Sequence, residues 1–460
     1  MSGRGSPYLL ESWCLLSIPV ILASQSKARR DVLFHAGIRP TIRVSHVDEA
    51  AVIVNTAAQQ GIDPDSMTTQ ERVPLLARAK AAAVYRDYIA ISAAAVAAVG
   101  EEHVSRPLTD GFGSIASVMP IHDAIDAEGG MANRAVGPLI IGCDSMFELD
   151  GVPYGKPHTV AHARERLALM RGRTGTLWTG HCVIDAATGS MISRASHAEV
   201  TFANYSDDDI ERYIATGEPL EVAGSFTLDG FGGAFIDGIQ GDPSGIIGLS
   251  LPLTRQLVEE LGISWTDLWN LDRDEQQGTG YGSGKAVDPK APRDNVNQPG
   301  DGFIDCACGH KHWGLNGASG VLLCRRDPDS GEITDVLMQH RALWSAEGGT
   351  WGIPGGATAD GESSLEGALR ESFEEANIHP EDIAVVGSYV EDHGPWSYTT
   401  VFAFEKPGHT VEPRANDDES LEIAWVPFDK VGSLKLLTAM QTDWPRFEER
   451  LRQIAADYEQ

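Results

Sequence analysis

The chain has 460 residues, 42% of them hydrophobic, and a formal charge of −30. That length allows two or three domains with cores of their own, and no apolar run approaches the ~20 residues a membrane helix needs. The acidic balance argues against general affinity for nucleic acid or anionic membranes, so an anionic substrate has to be met by local basic residues and by metal. Six scattered cysteines without a disulfide framework fit a reducing cytoplasm.

The apolar piece from Trp13 to Leu22 follows Glu11, is interrupted by Pro19 and runs straight into a polar turn. It reads as a buried first strand rather than a signal peptide. In Ser24-Gln25-Ser26-Lys27-Ala28-Arg29-Arg30 the strand breaks into a turn and then a helix. Its amides, two hydroxyls and two guanidiniums are either a phosphate cradle or an ordinary capped surface helix. Val47-Asp48-Glu49 follows, then Leu76-Ala77-Arg78-Ala79-Lys80-Ala81, an alanine-rich helix with one central lysine. Ile140 to Met146 is a second buried strand with Asp144 near its end, and the loop Gly155-Lys156-Pro157 comes after it. An aspartate so placed suits metal binding or water activation, and as often simply forms a turn. Residues 96–137 mix Gly, Ala, Ser and Asp without a period and read as an insertion with no chemistry assigned.

Together these segments resemble the Maf family of nucleoside triphosphate pyrophosphatases. The opening Ser-x-Ser-x-x-Arg-Arg, Val-Asp-Glu, Ala-Lys-Ala, Asp-Ser and Gly-Lys-Pro occur in the family's order. Arg173-Thr174-Gly175, Gly217-Glu218-Pro219, Ala223-Gly224-Ser225-Phe226 and Gly241-Asp242-Pro243 continue it, so that the resemblance covers nearly all of residues 18–263. It implies a two-lobed α/β domain with a cleft over residues 1–271, and cleavage of nucleoside triphosphates to monophosphate and diphosphate. Carried over, Asp144 is the proton acceptor that activates water, and Glu49 is a metal ligand or a second acid. Ser24, Arg29, Arg30, Lys80 and Lys156 hold the triphosphate. Asp229 stands where many members have a base-selecting glutamine, Val222 where many have lysine and Lys27 where proline is usual, which leaves the base preference open. The resemblance also implies pairing as a homodimer.

Residues 272–302 are rich in Gly, Asp, Pro and Gln with almost no large apolar residues, the composition of a flexible linker. Cys306-Ala307-Cys308-Gly309-His310-Lys311-His312 then invites a zinc reading. Residues two apart on a strand lie ~6.6 Å from each other, too far to share a tetrahedral ion without a sharp turn at Gly309. The four ligands are also crowded together rather than split into two arms, and the sequence leans away from zinc here. Gly320 to Cys324, Val336 to Gln339, Val385 to Val390, Tyr398 to Phe404 and Ile423 to Pro427 read as strands, and a closing helix runs near Trp444 to Ala456.

Between the second and third of those strands lies Gly355-Gly356 and a loop, then a helix opened by Ser363 and Glu366, a capping-box pair. Leu365, Ala368, Leu369, Phe373 and Ala376 form its core stripe. Glu371, Glu374 and Glu375 are spaced i, i+3 and i+4 and so cluster on roughly the opposite face, and Arg370 lies four residues before Glu374 and can brace it. Carboxylates packed in this way repel one another, a cost relieved by a hard divalent cation; a plain solvated face is the other reading.

The whole string resembles the Nudix box: Gly356, Glu362 six residues on, Arg370-Glu371, then Glu374-Glu375. Ser372 stands where an aliphatic residue is usual and Asn377 where glycine is usual. The resemblance implies a Nudix α/β/α sandwich with a mixed sheet over residues 303–460. It implies hydrolysis of a nucleoside diphosphate linked to another group, with Mg²⁺ or Mn²⁺ held by Glu371, Glu374 and Glu375 and with Glu374 catalytic. Glu419 or Glu422 supplies a late ligand or base, or is simply solvated. The chain as a whole then reads as a cytoplasmic, two-domain, metal-dependent nucleotide pyrophosphatase of mixed α/β fold that clears damaged or non-standard nucleotides. The alternative is a Maf-like enzyme whose Nudix half binds a nucleotide without hydrolysing it and regulates the first half.

Overall fold

The computed structural model describes residues 17–100, 137–270, 299–306, 308–416 and 419–458. Most of the stretch read as an insertion, most of the expected linker and the piece from Trp13 to Leu16 lie outside these residues. The described chain falls into two compact units, one of residues 17–86 with 137–270, the other of residues 87–100 with 299–458.

The first unit is built on one mixed sheet. Its strands are β1 (Val20–Leu22), β2 (Thr41–Ile42), β3 (Leu139–Leu149), β4 (Val152–Tyr154), β5 (Thr174–Asp185), β6 (Ser190–Phe202) and β7 (Ile236–Gly241). They run in the order β2-β1-β3-β5-β6-β7, with β4 hairpinned onto β3. β1 is parallel to β2 and β3, and the remaining pairs are antiparallel. Because β3 and β5 are long, they pass through two separate apolar cores. One gathers Leu22, Leu33, Ile141, Cys143 and Val183, the other Phe147, Leu177, Phe202, Tyr213 and Phe226. Asp144 lies on β3 just where the first core gives way to the second, which is the two-lobed arrangement the family resemblance implies.

The helices of this unit include α1 (Lys27–His35), α2 (Glu49–Gln60) and the part of α3 (Thr69–Gly100) up to Arg86. Ser26 caps α1 by accepting from the Arg29 amide, and Asp48 caps α2 by accepting from the Ala51 amide. By length and composition the segment Thr69–Ala98 is apolar enough to cross a bilayer. The sequence reading missed this because its apolarity comes from alanines rather than from a run of large residues. Within the fold, Val73, Leu76, Ala77 and Ala81 bury one side of α3 completely. The contact is to sheet backbone. A methyl group at Gly142 of β3 would lie 2.3 Å from the Ala77 carbonyl oxygen, and one at Gly180 of β5 would lie 2.1 Å from the Val73 carbonyl. Only residues without a side chain allow this approach.

The second unit pairs β10 (Ala318–Arg326), β11 (Ile333–Arg341), β12 (Trp351–Gly352), β14 (Ile383–Asp392) and β15 (Ser397–Glu405) in the order β12-β11-β10-β15-β14. β13 (Gly355–Ala357) joins β10, and β16 (Ser420–Pro427) joins β11. β10 and β15 are parallel at its centre, and both are buried on both faces, as parallel strands generally are. Val321, Leu323, Val401 and Ala403 face Leu365, Ala368 and Leu369 of the helix Ser364–Ala376. Leu322, Cys324, Phe402 and Phe404 face Met440, Trp444, Phe447 and Leu451 of the helix Thr438–Asp457 on the other side. This is the expected sandwich. The last helix starts at Thr438, earlier than the sequence suggests, and carries Pro445 inside it.

A small hairpin, β8 (Phe303–Asp305) with β9 (Lys311–Trp313), precedes this sheet. Its turn overturns one sequence argument. Cys306 and Cys308 are not spread along a strand, because Gly309 takes a φ of +87° and the chain reverses there. The Gly309 amide donates to Cys306 O at 3.0 Å.

The packing of α3 on bare sheet backbone gives a direct test. Gly180→Ala should destabilise the first unit by about 1–3 kcal/mol, the usual cost of overpacking, and lower its urea midpoint. A variant as stable as the parent would contradict the contact.

Candidate active sites

In the first unit the α3 contact fixes where Lys80 lies. Gly142 and Asp144 are two apart on β3 and share a face, so the helix that rests on Gly142 also carries its lysine to Asp144. Lys80 Nζ sits 2.6 Å from Asp144 Oδ1 and 2.7 Å from Glu49 Oε1. Glu49 opens α2 and is half exposed, whereas Asp144 is buried. Burial pushes the Asp144 carboxyl above its ordinary value, while Lys80 and Arg29 pull the other way. A carboxylate raised in this manner is a better proton acceptor than a solvated one.

Arg29 proves to be a tie between segments. Its Nε donates to Gly248 O at 3.0 Å, one terminal nitrogen to Ser24 Oγ at 3.1 Å and Cys143 O at 2.9 Å, and the other to Ser145 Oγ at 3.1 Å. The guanidinium thus locks the β1 turn, β3 and the Gly248 loop together beside Asp144. Arg30 is buried, with its Nε 3.4 Å from Asp31. Ser24 accepts from the Ser26 amide as well as from Arg29.

Lys156 and Asp229, both exposed, lie on neighbouring loops of the other lobe. The loop carrying Lys156 is held to residues 220–224 by backbone bonds from His158 to Leu220 and from Gly224 to Gly155. Asp229 belongs to a loop organised by Glu218, whose carboxylate accepts from Tyr213 Oη, Thr227 Oγ1 and the amides of Phe231 and Gly232. Burial works against the Glu218 charge, but these donors outweigh it and hold the group below the usual carboxylate range. Sequence reasoning quoted Glu218 in its motif without assigning it a role; all but one of its donors come from nine to fourteen residues further on. It also passed over Ser145, whose hydroxyl meets Arg29 and, at 3.0 Å, Thr179.

The second site is built on α4 (Ser364–Ala376). Ser363 and Glu366 form the expected capping box, and Asn377 ends the helix at φ +58°, the left-handed geometry a glycine would otherwise supply. Ser372 is buried at the usual aliphatic position, with its hydroxyl satisfied by Leu369 O at 3.0 Å.

Arg370 is the hub. Its side chain is 5% exposed and makes a two-pronged pair with Glu362, Nε to Oε1 at 2.6 Å and the second prong at 2.9 Å. It also contacts Glu371, meets Glu374 at 3.2 Å and donates to Ala357 O at 2.8 Å. Burial opposes the guanidinium charge, but the carboxylates around it keep it firmly protonated. Glu371 overlies Gly356, where an added side chain would meet its carboxyl group at 2.7 Å. Glu375 is buried and accepts from the Gly355 amide at 3.0 Å and from Gln339 Nε2 at 3.2 Å. The Gln339 Oε1 atom beside it is buried with no partner. Carboxylate oxygens are the hard donors that Mg²⁺ and Mn²⁺ prefer, so the chemistry of Glu371, Glu374 and Glu375 fits such an ion. Glu422 pairs with His340 Nδ1 at 3.4 Å, and the Glu419 carbonyl accepts from the Ala342 amide.

The Maf-like protein family matches residues 19–261, and the NUDIX domain matches residues 316–448. A nucleoside triphosphate pyrophosphatase/Nudix hydrolase fusion protein of Bifidobacterium longum is 60% identical over 479 residues, covering 96% of this chain and 99% of the relative. A nucleoside triphosphate pyrophosphatase of Rhodococcus erythropolis is 40% identical over 54% of this chain and 96% of its own length. Among solved structures, a Nudix hydrolase from M. smegmatis, RenU, is 34% identical, covers 35% of this chain and 98% of its own, and has a TM-score of 0.29.

Replacing Arg370 with Met would leave three carboxylates without their buried counter-charge. The loss should be about 3–5 kcal/mol, as for other broken buried pairs, and saturating Mg²⁺ should recover part of it. Urea unfolding with and without the ion measures both effects.

Proposed function

The chain belongs to the Maf-like proteins, in the form that carries a NUDIX domain behind the Maf-like half, and on that premise we propose that it hydrolyses nucleotides at two separate centres. The first half, residues 1–271, is a nucleoside triphosphate pyrophosphatase that yields monophosphate and diphosphate. The second, residues 303–460, is a Nudix hydrolase acting on a nucleoside diphosphate joined to another group, and residues 272–302 link the two. The observation that carries the reading is the buried Asp144 carboxylate held against Lys80 beside a basic turn.

In the first half Asp144 takes a proton from water as the oxygen attacks phosphorus, and the diphosphate leaves with the bond electrons. Lys80 keeps Asp144 ionised until then and offsets negative charge on the phosphates. Lys156 and Ser24 hold phosphate oxygens, Arg29 and Arg30 add positive potential, and Glu49 keeps the Lys80 ammonium in place or serves as a metal ligand. Asp229 faces the base from the opposite lobe. In the second half Glu371, Glu374 and Glu375 would hold the divalent cation, and Glu374, the most exposed of the three, accepts the proton from water. A bound Mg²⁺ or Mn²⁺ supplies charge neutralisation at the phosphates.

A nucleotide-binding module that does not hydrolyse would have no use for Glu371, Glu374 and Glu375 together, and this weighs against a purely regulatory second half. No disulfide links the described cysteines, which suits a reducing cytoplasm where damaged or non-standard nucleotides are cleared.

A panel of nucleotides with Mg²⁺ or Mn²⁺ tests the proposal. Asp144→Asn should cut diphosphate release from triphosphates at least a hundredfold and spare a second substrate, which Glu374→Gln in turn abolishes. If Glu374→Gln alters no substrate, the second half only binds; if no triphosphate yields diphosphate, the first assignment is wrong.

A further inference from the structure

One cluster of metal-binding side chains in the second unit takes no part in either centre. Cys306, Cys308, His312 and His393 each bring one ligating atom to a common place, all within 4.8 Å of one another. The first three come from the β8–β9 hairpin, and the fourth comes from the turn between β14 and β15. The tight turn makes this arrangement: Cys306 N donates to His310 O at 3.0 Å and Gly309 N to Cys306 O at 3.0 Å, which folds the two thiols toward the same side. His310, which the sequence groups with the cysteines, is exposed and is not one of the four.

We propose that these four side chains form a structural zinc site that staples the hairpin to the β14–β15 turn. In a tetrahedral site with Zn–S of ~2.3 Å and Zn–N of ~2.0 Å, ligand atoms lie about 3.3–3.8 Å apart. Cys308 Sγ and His312 Nε2 are already 3.1 Å apart. Thiolates and imidazoles are the ligands zinc takes, whereas the carboxylates around Arg370 suit harder ions, so the two sites sort their metals by chemistry. Four protein ligands fill the coordination sphere and leave no position for a reacting water, so this zinc holds structure only.

The surroundings support that role. Glu391 Oε1 lies 2.8 Å from His393 Nε2, the outer carboxylate that commonly orients a ligating histidine, and this leaves Nδ1 for the metal. The His312 ring stacks on Trp396 at 4.1 Å, and Trp396 Nε1 donates to Trp313 O at 2.8 Å. The hairpin itself has strands of three residues each, with Phe303 and Trp313 substantially exposed. A two-stranded hairpin of that size is marginal without further support, which a metal bond between its turn and a neighbouring one provides.

Cobalt(II) titration of the full chain, stripped of metal under reducing conditions, reads the site directly. The wild type should bind one equivalent with the intense visible bands of a tetrahedral ion and the thiolate charge-transfer band, and one equivalent of Zn²⁺ should bleach them. Cys308→Ser and His393→Ala should each weaken that binding at least a hundredfold, whereas His310→Ala and Glu374→Gln should leave it unchanged. Absence of the tetrahedral spectrum in the wild type overturns the proposal irrespective of how any variant folds. Loss of the spectrum with His310→Ala but not His393→Ala would overturn the ligand set.

Discussion

The first reaction centre depends on how closely one helix approaches a sheet. α3 rests on backbone at Gly142 and Gly180, where no side chain intervenes, and this places the Lys80 ammonium between Asp144 and Glu49. A buried carboxylate is costly unless it is paired. The lysine is what allows Asp144 to stay in the wall between the two cores. Its position is therefore at once a packing result and an electrostatic one: lifting the helix by a single methyl group would part the charges.

The second centre solves a similar problem with the opposite sign. There the surplus is negative, and one buried guanidinium spreads its donors over Glu362, Glu371 and Glu374. A lysine could not do this, since the bidentate pair with Glu362 needs the planar fork of arginine. Glu375 is held separately, by the Gly355 amide and Gln339. The helix is thus pre-set, its carboxylates oriented by protein groups before any ion is bound.

Local patterns were legible in the sequence where the chemistry is local. The capping box at Ser363 follows from spacing, β10 and β15 from their short continuous apolar runs, and the left-handed end at Asn377 from its standing where the Nudix box has glycine. What the sequence could not give were the long-range meetings. Arg29 is placed by partners far off in the chain, Cys143, Ser145 and Gly248, which its motif does not announce. Gln339 lies thirty-six residues from the Glu375 it supports. The cysteine–histidine cluster escaped the sequence for the same reason. Four candidates stand within one short run, but Cys306, Cys308 and His312 meet His393 from another hairpin, and His310 is not among them.

In the proposed mechanism Lys80 sustains Asp144 as an ionised base within a buried site. Burial pushes the Asp144 carboxyl up and Lys80 draws it back; with Asp144 as the proposed base, activity falls as pH is lowered, because only the ionised form accepts a proton. The most direct measurement is the pH profile of kcat/KM for triphosphate cleavage by the wild type and by Lys80→Met. The account predicts an acidic limb that moves to higher pH when the ammonium is removed, on top of any loss from weaker phosphate binding. A limb that stays in place, with activity lowered equally at every pH, would contradict it and leave Lys80 as a substrate contact alone.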